Sequence, residues 1–350
     1  IKAHQPGSSG LTKGLATNHK GHDADKTMLA ASSVPNTYAH MEADFGSLIW
    51  SAYGSRLIAD IGYGSQAKDI YALTKLDKGT LYDMVDNGAV GHSTLSIPEA
   101  NFINSTTKLM MNSSQIKGGV GTTKKGTWGD TAGIHLDGAF VYGKVTGNPV
   151  YTEAKKRGWL EAFDRWLIPL PGGHFLVADS FLKRADRPKV TAAQTWQFYH
   201  APLAANAACK YNKVHTEVAL VNAHTVEIKP VCSMLSYSAK SQAVGRILAA
   251  SLTAGKFTKP EVFKTYKNLG GTVTHKRVRY QPAAAIAHDV RVFALLAAPS
   301  AAKMPAATLA HVKCKKAEDA CFKLTLNGAA TTIHFTWDGK RHVLSSVALP

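Results

Sequence analysis

The stretch that decides the fold is residues 38–64, which read Y-A-H-M-E-A-D-F-G-S-L-I-W-S-A-Y-G-S-R-L-I-A-D-I-G-Y-G. His40, Glu42 and Asp44 alternate with small or apolar residues just before an apolar strand. In an extended chain, side chains two positions apart point to the same side. A histidine and two carboxylates on one face could bind a metal or transfer protons. An ordinary polar entry to a strand has the same spacing, so the spacing leaves both interpretations open.

A second segment, residues 91–95, reads G-H-S-T-L. Together the two segments resemble the β-domain of heparinase II/III-type polysaccharide lyases, a group that includes alginate and oligoalginate lyases. The family pattern is H-x-H-x-D-x-G-S, a strand, D-x-G, and then a histidine in an H-N-T-like triplet. The resemblance implies that His40 lies at the cleavage site. It also implies that Glu42, Asp60 and His92 are ligands of a divalent metal, usually zinc.

Two positions depart from the family pattern. Glu42 stands where the family has its second histidine, and Ser93 stands where it has asparagine. A ligand set of Glu, Asp and His has more oxygen donors than the usual set and suits harder cations. Calcium, manganese or no bound metal are therefore alternatives to zinc.

The spacing of the ligands predicts a bend. If residues 53–56 close a regular hairpin, Asp60 lies opposite Ile49. About seven strand residues, or about 23 Å, then separate Asp60 from Glu42. A shared metal therefore requires the chain to fold back before the strand, and we predict a bend at Gly46.

Composition limits the class of protein. The chain has 350 residues, 45% hydrophobic and 19% charged, which is typical of a globular protein with a sizeable core. No apolar run is long enough to span a membrane. The formal net charge of +17 attracts polyanions. No helix-turn-helix, zinc-finger or RNA-binding pattern favours nucleic acid; the charge fits an acidic polysaccharide or an anionic lipid and does not single out one partner. The resemblance to the lyases implies an acidic polysaccharide. Because the chain begins with Ile1, we expect a processed product or a piece of a longer protein.

The four cysteines form an even set without a C-x-x-C motif. Cys314 and Cys321 flank a short charged loop and could clip a hairpin. Cys209 and Cys232 could bridge neighbouring strands. Two disulfides predict a secreted or periplasmic protein, whereas four buried free thiols are the alternative.

The rest of the chain reads as many short strands, which predicts an all-β fold, a large antiparallel β-sandwich. We expect residues 1–37 to lead into the sheet and residues 38–350 to form the sandwich, with a break between two sub-layers near residues 255–285 as one interpretation. Helical spacing within 151–167 favours a helix, but a hairpin through residues 171–173 is the alternative. The end of the chain reads as a meander with an Asp338-Gly339 turn.

Two further histidine-containing segments are candidates for a site. His200 ends an alternating strand, as histidines do in these sandwiches, and could reach the cleft as a substrate-binding residue. A cluster of His19, His22, Asp23 and Asp25 could hold a metal, but it lies in a polar stretch without a flanking apolar element and is interpreted as a solvated loop.

Lyases of the resembling family also carry an α/α toroid, which supplies further active-site residues. No run of amphipathic helices is evident in this sequence. The toroid is therefore expected to be removed, to lie on a separate chain, or to be dispensable.

The sequence supports several functions. The first is a lyase that cleaves an acidic uronate-containing polysaccharide, alginate or glycosaminoglycan-like, by β-elimination. His40 would be the base or would neutralise the carboxylate. The alternatives are the β-half of a lyase that needs a helical partner, a metal-dependent hydrolase, and a non-catalytic module that contacts polysaccharide through Trp50, Trp128 and Trp196.

Overall fold

The computed structural model describes residues 2–3, 13–18, 27–32, 46–59, 91–103, 110–112, 131–137, 140–146, 159–199, 216–231, 243–267 and 271–349. In this part of the chain every paired strand is antiparallel to its neighbours. Helical turns that lie wholly within it are three residues long: Pro98–Ala100, Pro171–Gly173 and Ala301–Lys303. The predicted all-β, antiparallel fold is confirmed.

An eight-stranded sheet forms the centre of the molecule. Strands are numbered β1 to β24 in chain order. The spatial order of this sheet is β14 (Thr216–Asn222), β15 (Thr225–Pro230), β16 (Val244–Ser251), β20 (His288–Ala298), β12 (His174–Lys183), β11 (Leu160–Leu170), β10 (Phe140–Thr146) and β9 (Thr131–Asp137).

Smaller sheets accompany the central one. The first contains β1 (Lys2–Ala3), β2 (Lys13–Asn18), β3 (Thr27–Ser32), β4 (Leu48–Ala52) and β5 (Ser55–Ile58). The next contains β17 (Gly255–Phe257), β18 (Glu261–Lys267), β19 (Gly271–Pro282), β13 (Ala193–Tyr199) and β6 (Leu95–Ser96). The terminal sheet contains β21 (Ala307–Val312), β22 (Ala320–Leu326), β23 (Ala329–Trp337) and β24 (His342–Ala348). A separate pair is formed by β7 (Asn101–Ile103) and β8 (Met110–Asn112).

Apolar cores lie on both faces of the central sheet. On β20, Phe293 and Leu295 point into the core shared with the first sheet and the β13–β19 sheet. Val292 and Leu296 point into the core shared with the terminal sheet. Each of these side chains is fully buried, and such burial contributes roughly 1.5–3 kcal/mol per side chain. The sandwich therefore has three layers, with the eight-stranded sheet in the middle.

The hairpin between β11 and β12 corrects the helix prediction. Residues 160–167 of the predicted helix at 151–167 are strand instead. The alternative is confirmed, because β11 pairs with β12 around the turn at Pro171–Gly173. Gly172 and Gly173 have φ of +80° and +82°, backbone angles that favour glycine.

The terminal sheet is the meander that the sequence predicts. The turn at Gly339 has φ of +93°, and the disulfide between Cys314 and Cys321 is present. The side chain of Ser180 donates to the carbonyl of His342 at 2.7 Å, which ties this sheet to the central one. Cys209 and Cys232 lie outside the described residues.

The predicted boundary between an N-terminal segment ending at residue 37 and a sandwich beginning at residue 38 stays a prediction. The predicted break between two sub-layers near residues 255–285 also stays a prediction. Residues 2–32 contribute β1–β3 to the first sheet, where β3 pairs with β4. Residues 255–282 carry β17–β19. The described part of the chain contains no helix that could cross a bilayer.

Candidate functional site

The chain segments next to the predicted site residues meet around residues 92–95. We call the meeting point the motif junction; it comprises residues 46–48, 59, 92–95 and 194–197. Leu48 N–H donates to the carbonyl of Ser93 at 3.1 Å, and Ala59 N–H donates to the carbonyl of Gln197 at 2.9 Å. β6 also pairs with β13, so that Leu95 lies opposite Gln194. Both halves of the sequence motif and β13 thus share one hydrogen-bonded unit.

Ser93 makes hydrogen bonds to several segments of the motif junction. Its N–H donates to Ser47 Oγ at 3.2 Å. Its own Oγ donates to the carbonyl of Ala59 at 3.4 Å and accepts from the N–H of Gln197 at 3.0 Å. Ser93 is fully buried, so each of these bonds replaces one that the groups would make to water in the unfolded chain. One short hydroxyl side chain therefore joins three segments that are far apart in sequence.

The chain turns at Gly46, immediately before β4. The φ of Gly46 is +73°, and a Cβ there would come within 3.3 Å of Thr94 Oγ1. Its carbonyl accepts a hydrogen bond from Arg165 Nη1. Gly46 therefore adopts a turn conformation; residues 33–45 lie outside the described part of the chain, so the fold-back predicted before β4 stays a prediction. The hairpin that follows has a bulge between Trp50 and Ser51 rather than the assumed regular register, because Trp50 lies opposite Ile58.

Arg165 anchors the motif junction to the central sheet. Its Nε and Nη2 donate to Asp179 Oδ1 and Oδ2, both at 2.7 Å, and its Nη2 also donates to Gln194 Oε1. Both members of the ion pair have fully buried side chains. Bidentate, charge-assisted bonds of this kind hold a fixed geometry. The Gly46 turn is consequently held by a rigid group on β11.

A second buried ion pair continues this charged row. Arg291 lies directly opposite Asp179 in the sheet register. Its Nε donates to Asp289 Oδ2 at 2.8 Å, and its Nη2 donates to the carbonyl of Ala192 at 2.7 Å. Ala192 immediately precedes β13. The two arginines and two aspartates balance in charge, and together they connect β11, β12 and β20 to the layer that carries the motif.

The predicted site residues can be placed only in part. His92 is fully buried and adjoins Ser93. His40, Glu42, Asp60 and His200 lie outside the described residues, as does the His19–Asp25 cluster in its entirety, with His19, His22, Asp23 and Asp25. The structure nevertheless fixes their flanks: Ser47 follows Glu42 by five residues, Ala59 directly precedes Asp60, and Gln197 precedes His200 by three.

The tryptophans proposed as sugar contacts are corrected by the structure. Trp50 and Trp196 are both 0% exposed and belong to the core. Trp196 packs edge-to-face on Phe293, with ring centroids 5.1 Å apart. Neither can therefore present a face to a saccharide. Trp128 lies outside the described residues.

A pocket of about 270 Å³ opens between β16, β17 and β21, with His224, Ser251, Tyr280 and His311 among its lining residues. Burial raises the pKa of Tyr280 and lowers the pKa of His311. Both groups are consequently neutral near pH 7. A pocket with these neutral groups offers little attraction to a polyanion, so the motif junction is the better candidate site.

The fold and the junction define the chain as a three-layer antiparallel sandwich. No family model matches the sequence, and no curated protein does. Solved structures do match. A heparan sulfate lyase HepC mutant from Pedobacter heparinus superposes with a TM-score of 0.59 at 13% identity, covering 95% of this chain and 42% of that one. A heparinase III gene product superposes with a TM-score of 0.60 at 12% identity, covering 96% of this chain and 42% of that one. Another heparinase III superposes with a TM-score of 0.57 at 12% identity, covering 93% of this chain and 41% of that one.

These likenesses show the fold. This chain spans about 42% of the length of each of the first two structures.

Sequence reasoning missed the charged row of Arg165, Asp179 and Arg291. A signal was present, because each of these charged residues lies within a strand rich in apolar residues. Charged residues are almost never fully buried unless they are paired. Three such residues in strands that read as core predict partners across the sheet.

Proposed function

We propose that this protein is a polysaccharide lyase, or the β-part of one, which cleaves an acidic uronate-containing polysaccharide by β-elimination. The observation that carries the proposal is the motif junction. Three segments that the lyase pattern requires to be neighbours are joined by direct hydrogen bonds through Ser93. The shared fold and the net charge of +17 support the same conclusion.

In the proposed reaction a base removes the proton at C5 of the uronate, and an acid protonates the departing O4. The carboxylate beside C5 must be neutralised as negative charge develops, which donors or cations at that position achieve. His40 is proposed as the base or as the neutralising group, because an imidazole titrates near working pH. His200, three residues beyond Gln197 of the junction, is proposed to contact the substrate.

Glu42, Asp60 and His92 are proposed to bind a divalent metal, with zinc expected and calcium or manganese as alternatives. Two carboxylates and an imidazole are a suitable donor set for such an ion. The junction supports a shared site, since the flank of each ligand bonds to Ser93 or to its neighbours. A metal there would supply charge that organises the loop holding His40.

The substrate and the partner chain belong to the same proposal. Heparan sulfate is the first substrate to test because one of the structural neighbours is named a heparan sulfate lyase, and alginate is the second. Since the chain spans about 42% of those neighbours, we propose that a helical domain on a separate chain completes the active site. The Cys314–Cys321 disulfide supports a periplasmic or secreted location.

The test is cleavage followed by ultraviolet absorbance, because β-elimination leaves an unsaturated uronate and hydrolysis does not. Wild type, His40→Ala and His224→Ala are compared on heparan sulfate and alginate, with bound metal quantified in each. His224 is exposed on the β14–β15 turn and serves as the control. We expect one equivalent of metal and cleavage that His40→Ala abolishes and His224→Ala preserves.

Other outcomes separate the alternatives. If the protein binds metal but does not cleave, and if adding a helical lyase domain restores cleavage, the chain is the β-half of a two-part enzyme. Cleavage to saturated ends identifies a hydrolase. Polysaccharide binding with neither metal nor cleavage overturns the lyase proposal in favour of a binding module.

A further inference from the structure

A group of metal-binding side chains lies in the terminal sheet, in the third layer. Cys321 on β22 lies directly opposite His334 on β23, and Cys314 follows the end of β21. One donor atom from each of these three residues lies within 4.8 Å of the other two. Adjacent strands of the sheet therefore place Cys321 and His334, and the loop after β21 brings Cys314 to them.

A carboxylate and a hydroxyl complete the surroundings of His334. Its Nε2 lies 2.8 Å from Asp319 Oδ2. The other oxygen of Asp319 accepts from the N–H of Trp337 at 3.1 Å, so the carboxylate is held in place. Ser345 Oγ donates to the carbonyl of His334 at 2.9 Å and lies 3.1 Å from Nδ1.

The Ser345 contacts orient the imidazole. Ser345 Oγ lies at hydrogen-bond distance from Nδ1, and Asp319 Oδ2 lies at hydrogen-bond distance from Nε2, so either partner can hold one ring nitrogen while the other nitrogen binds a metal. A ring nitrogen whose partner nitrogen is fixed by a hydrogen bond is the usual arrangement of a histidine ligand.

We propose that Cys314, Cys321 and His334 bind zinc when the disulfide is reduced, with water as the fourth ligand. Two thiolates, an imidazole and a water molecule are a donor set that zinc binds tetrahedrally. Zinc-bound donor atoms lie about 3.5 to 4 Å apart, so the two sulfurs must separate after reduction while the histidine stays within 4.8 Å of both. Disulfide and zinc are alternative closures of the same short loop.

The disulfide form and the zinc-bound form interconvert by reduction followed by metal binding. A dithiol gives two electrons and two protons to the disulfide, which yields two cysteine thiols and a cyclic disulfide of the reductant. Zinc binding then releases both thiol protons, because the thiolate is the ligand. Oxidation by a disulfide reverses the first step and expels the metal. The site is independent of the proposed lyase function and lies on different residues.

Cobalt is the probe, since cobalt bound by thiolates gives charge-transfer absorption in the near ultraviolet that nitrogen and oxygen ligands do not. The whole chain is reduced anaerobically with a phosphine, which adds no competing thiol, and titrated with Co²⁺ and then Zn²⁺. We expect about one equivalent of thiolate-bound cobalt that zinc displaces, and none in the oxidised protein. Zinc bound to the folded chain should also raise the melting temperature of the reduced protein.

Variants locate the signal. Cys314→Ser/Cys321→Ser should abolish it, and His334→Ala should weaken cobalt binding at least about tenfold. His311→Ala, on β21 of the same sheet, is the control and should bind normally. A metal on Glu42, Asp60 and His92 gives no sulfur band, so failure here leaves the lyase proposal untouched.

Three results overturn the proposal. One is the absence of thiolate bands in reduced protein. Another is a band that survives Cys314→Ser/Cys321→Ser, which would assign it to Cys209 and Cys232. The third is a reduced chain whose strand signal in circular dichroism is lost and is not restored by zinc.

Discussion

Arg165 and Asp179 form a bidentate ion pair, with two bonds of 2.7 Å, in which neither side chain is exposed to solvent. The pair lies between neighbouring strands, and the same guanidinium reaches the carbonyl of Gly46. The central layer thus holds the turn through which the chain enters the motif.

Removing one member of this pair should be costly. Arg165→Met leaves Asp179 buried without its main partner, and we expect a loss of about 3–5 kcal/mol in the free energy of unfolding, measured with chemical denaturant. Arg184→Met is the control, since Arg184 pairs with Asp186 at the surface, where water screens the pair, and its loss should cost far less stability. Equal losses in the two variants would contradict a special role for the buried pair.

A side chain at Gly46 should disturb the motif junction. Gly46→Ala meets a positive φ and a contact of 3.3 Å with Thr94. Gly339→Ala meets a positive φ, but nothing lies within 4 Å. Both should lose about 1–2 kcal/mol from the backbone, and Gly46→Ala should lose more. Lyase activity and metal affinity should fall only for Gly46→Ala; a matched effect of both variants would refute the packing explanation.

Ser93→Ala should weaken the predicted metal site without contacting it. The substitution deprives the buried N–H of Gln197 of its acceptor, which costs about 1–3 kcal/mol in stability. Because Ser93 adjoins His92, we expect the metal affinity to fall about 10–100-fold, measured by competition with a chelator. Ser96→Ala is the control, as this buried hydroxyl makes only 3.4 Å contacts. Unchanged metal affinity in Ser93→Ala would remove the support that the junction gives to the ligand set.

Buried histidines should make the fold sensitive to mild acid. Burial lowers the pKa of His174 below its ordinary value of 6.5, and burial likewise lowers the pKa of His342. The unfolded chain then binds more protons than the folded chain once the pH falls below about 6.5, so stability falls as the pH falls through that range. Unfolding free energies between pH 7.5 and 5 test this, and His174→Gln should flatten the slope. A slope identical in wild type and His174→Gln would contradict the assignment.

The fold was predictable in its strands but not in its layers. The β11 residues Leu160, Phe163 and Leu167 have helical spacing, yet they belong to a strand with a bulge between Leu160 and Ala162. A strand buried on both faces carries apolar residues at nearly every position, so any period can be found in it. The third layer that buries the second face comes from the terminal sheet, more than 100 residues further along the chain.

The candidate site, like the fold, was predictable from the sequence only in part. Ser47 and Ala59, which flank the predicted ligand segments, meet at Ser93, whereas the ligand roles of Glu42, Asp60 and His92 stay predictions. The motif could not give Arg165 or Asp179, whose pairing depends on sheet register. A single sequence does not reveal which strands become neighbours.

The terminal sheet has a consequence for how the protein is made. Residues 307–348 cover a face of β11, β12 and β20 that includes Trp166, Leu176 and Val292, all buried. Until the ribosome has released those residues, that face stays open to water and to other nascent chains. A chain cut before residue 307 should therefore accumulate as aggregates or bound to chaperones, even though every strand of the central sheet is present.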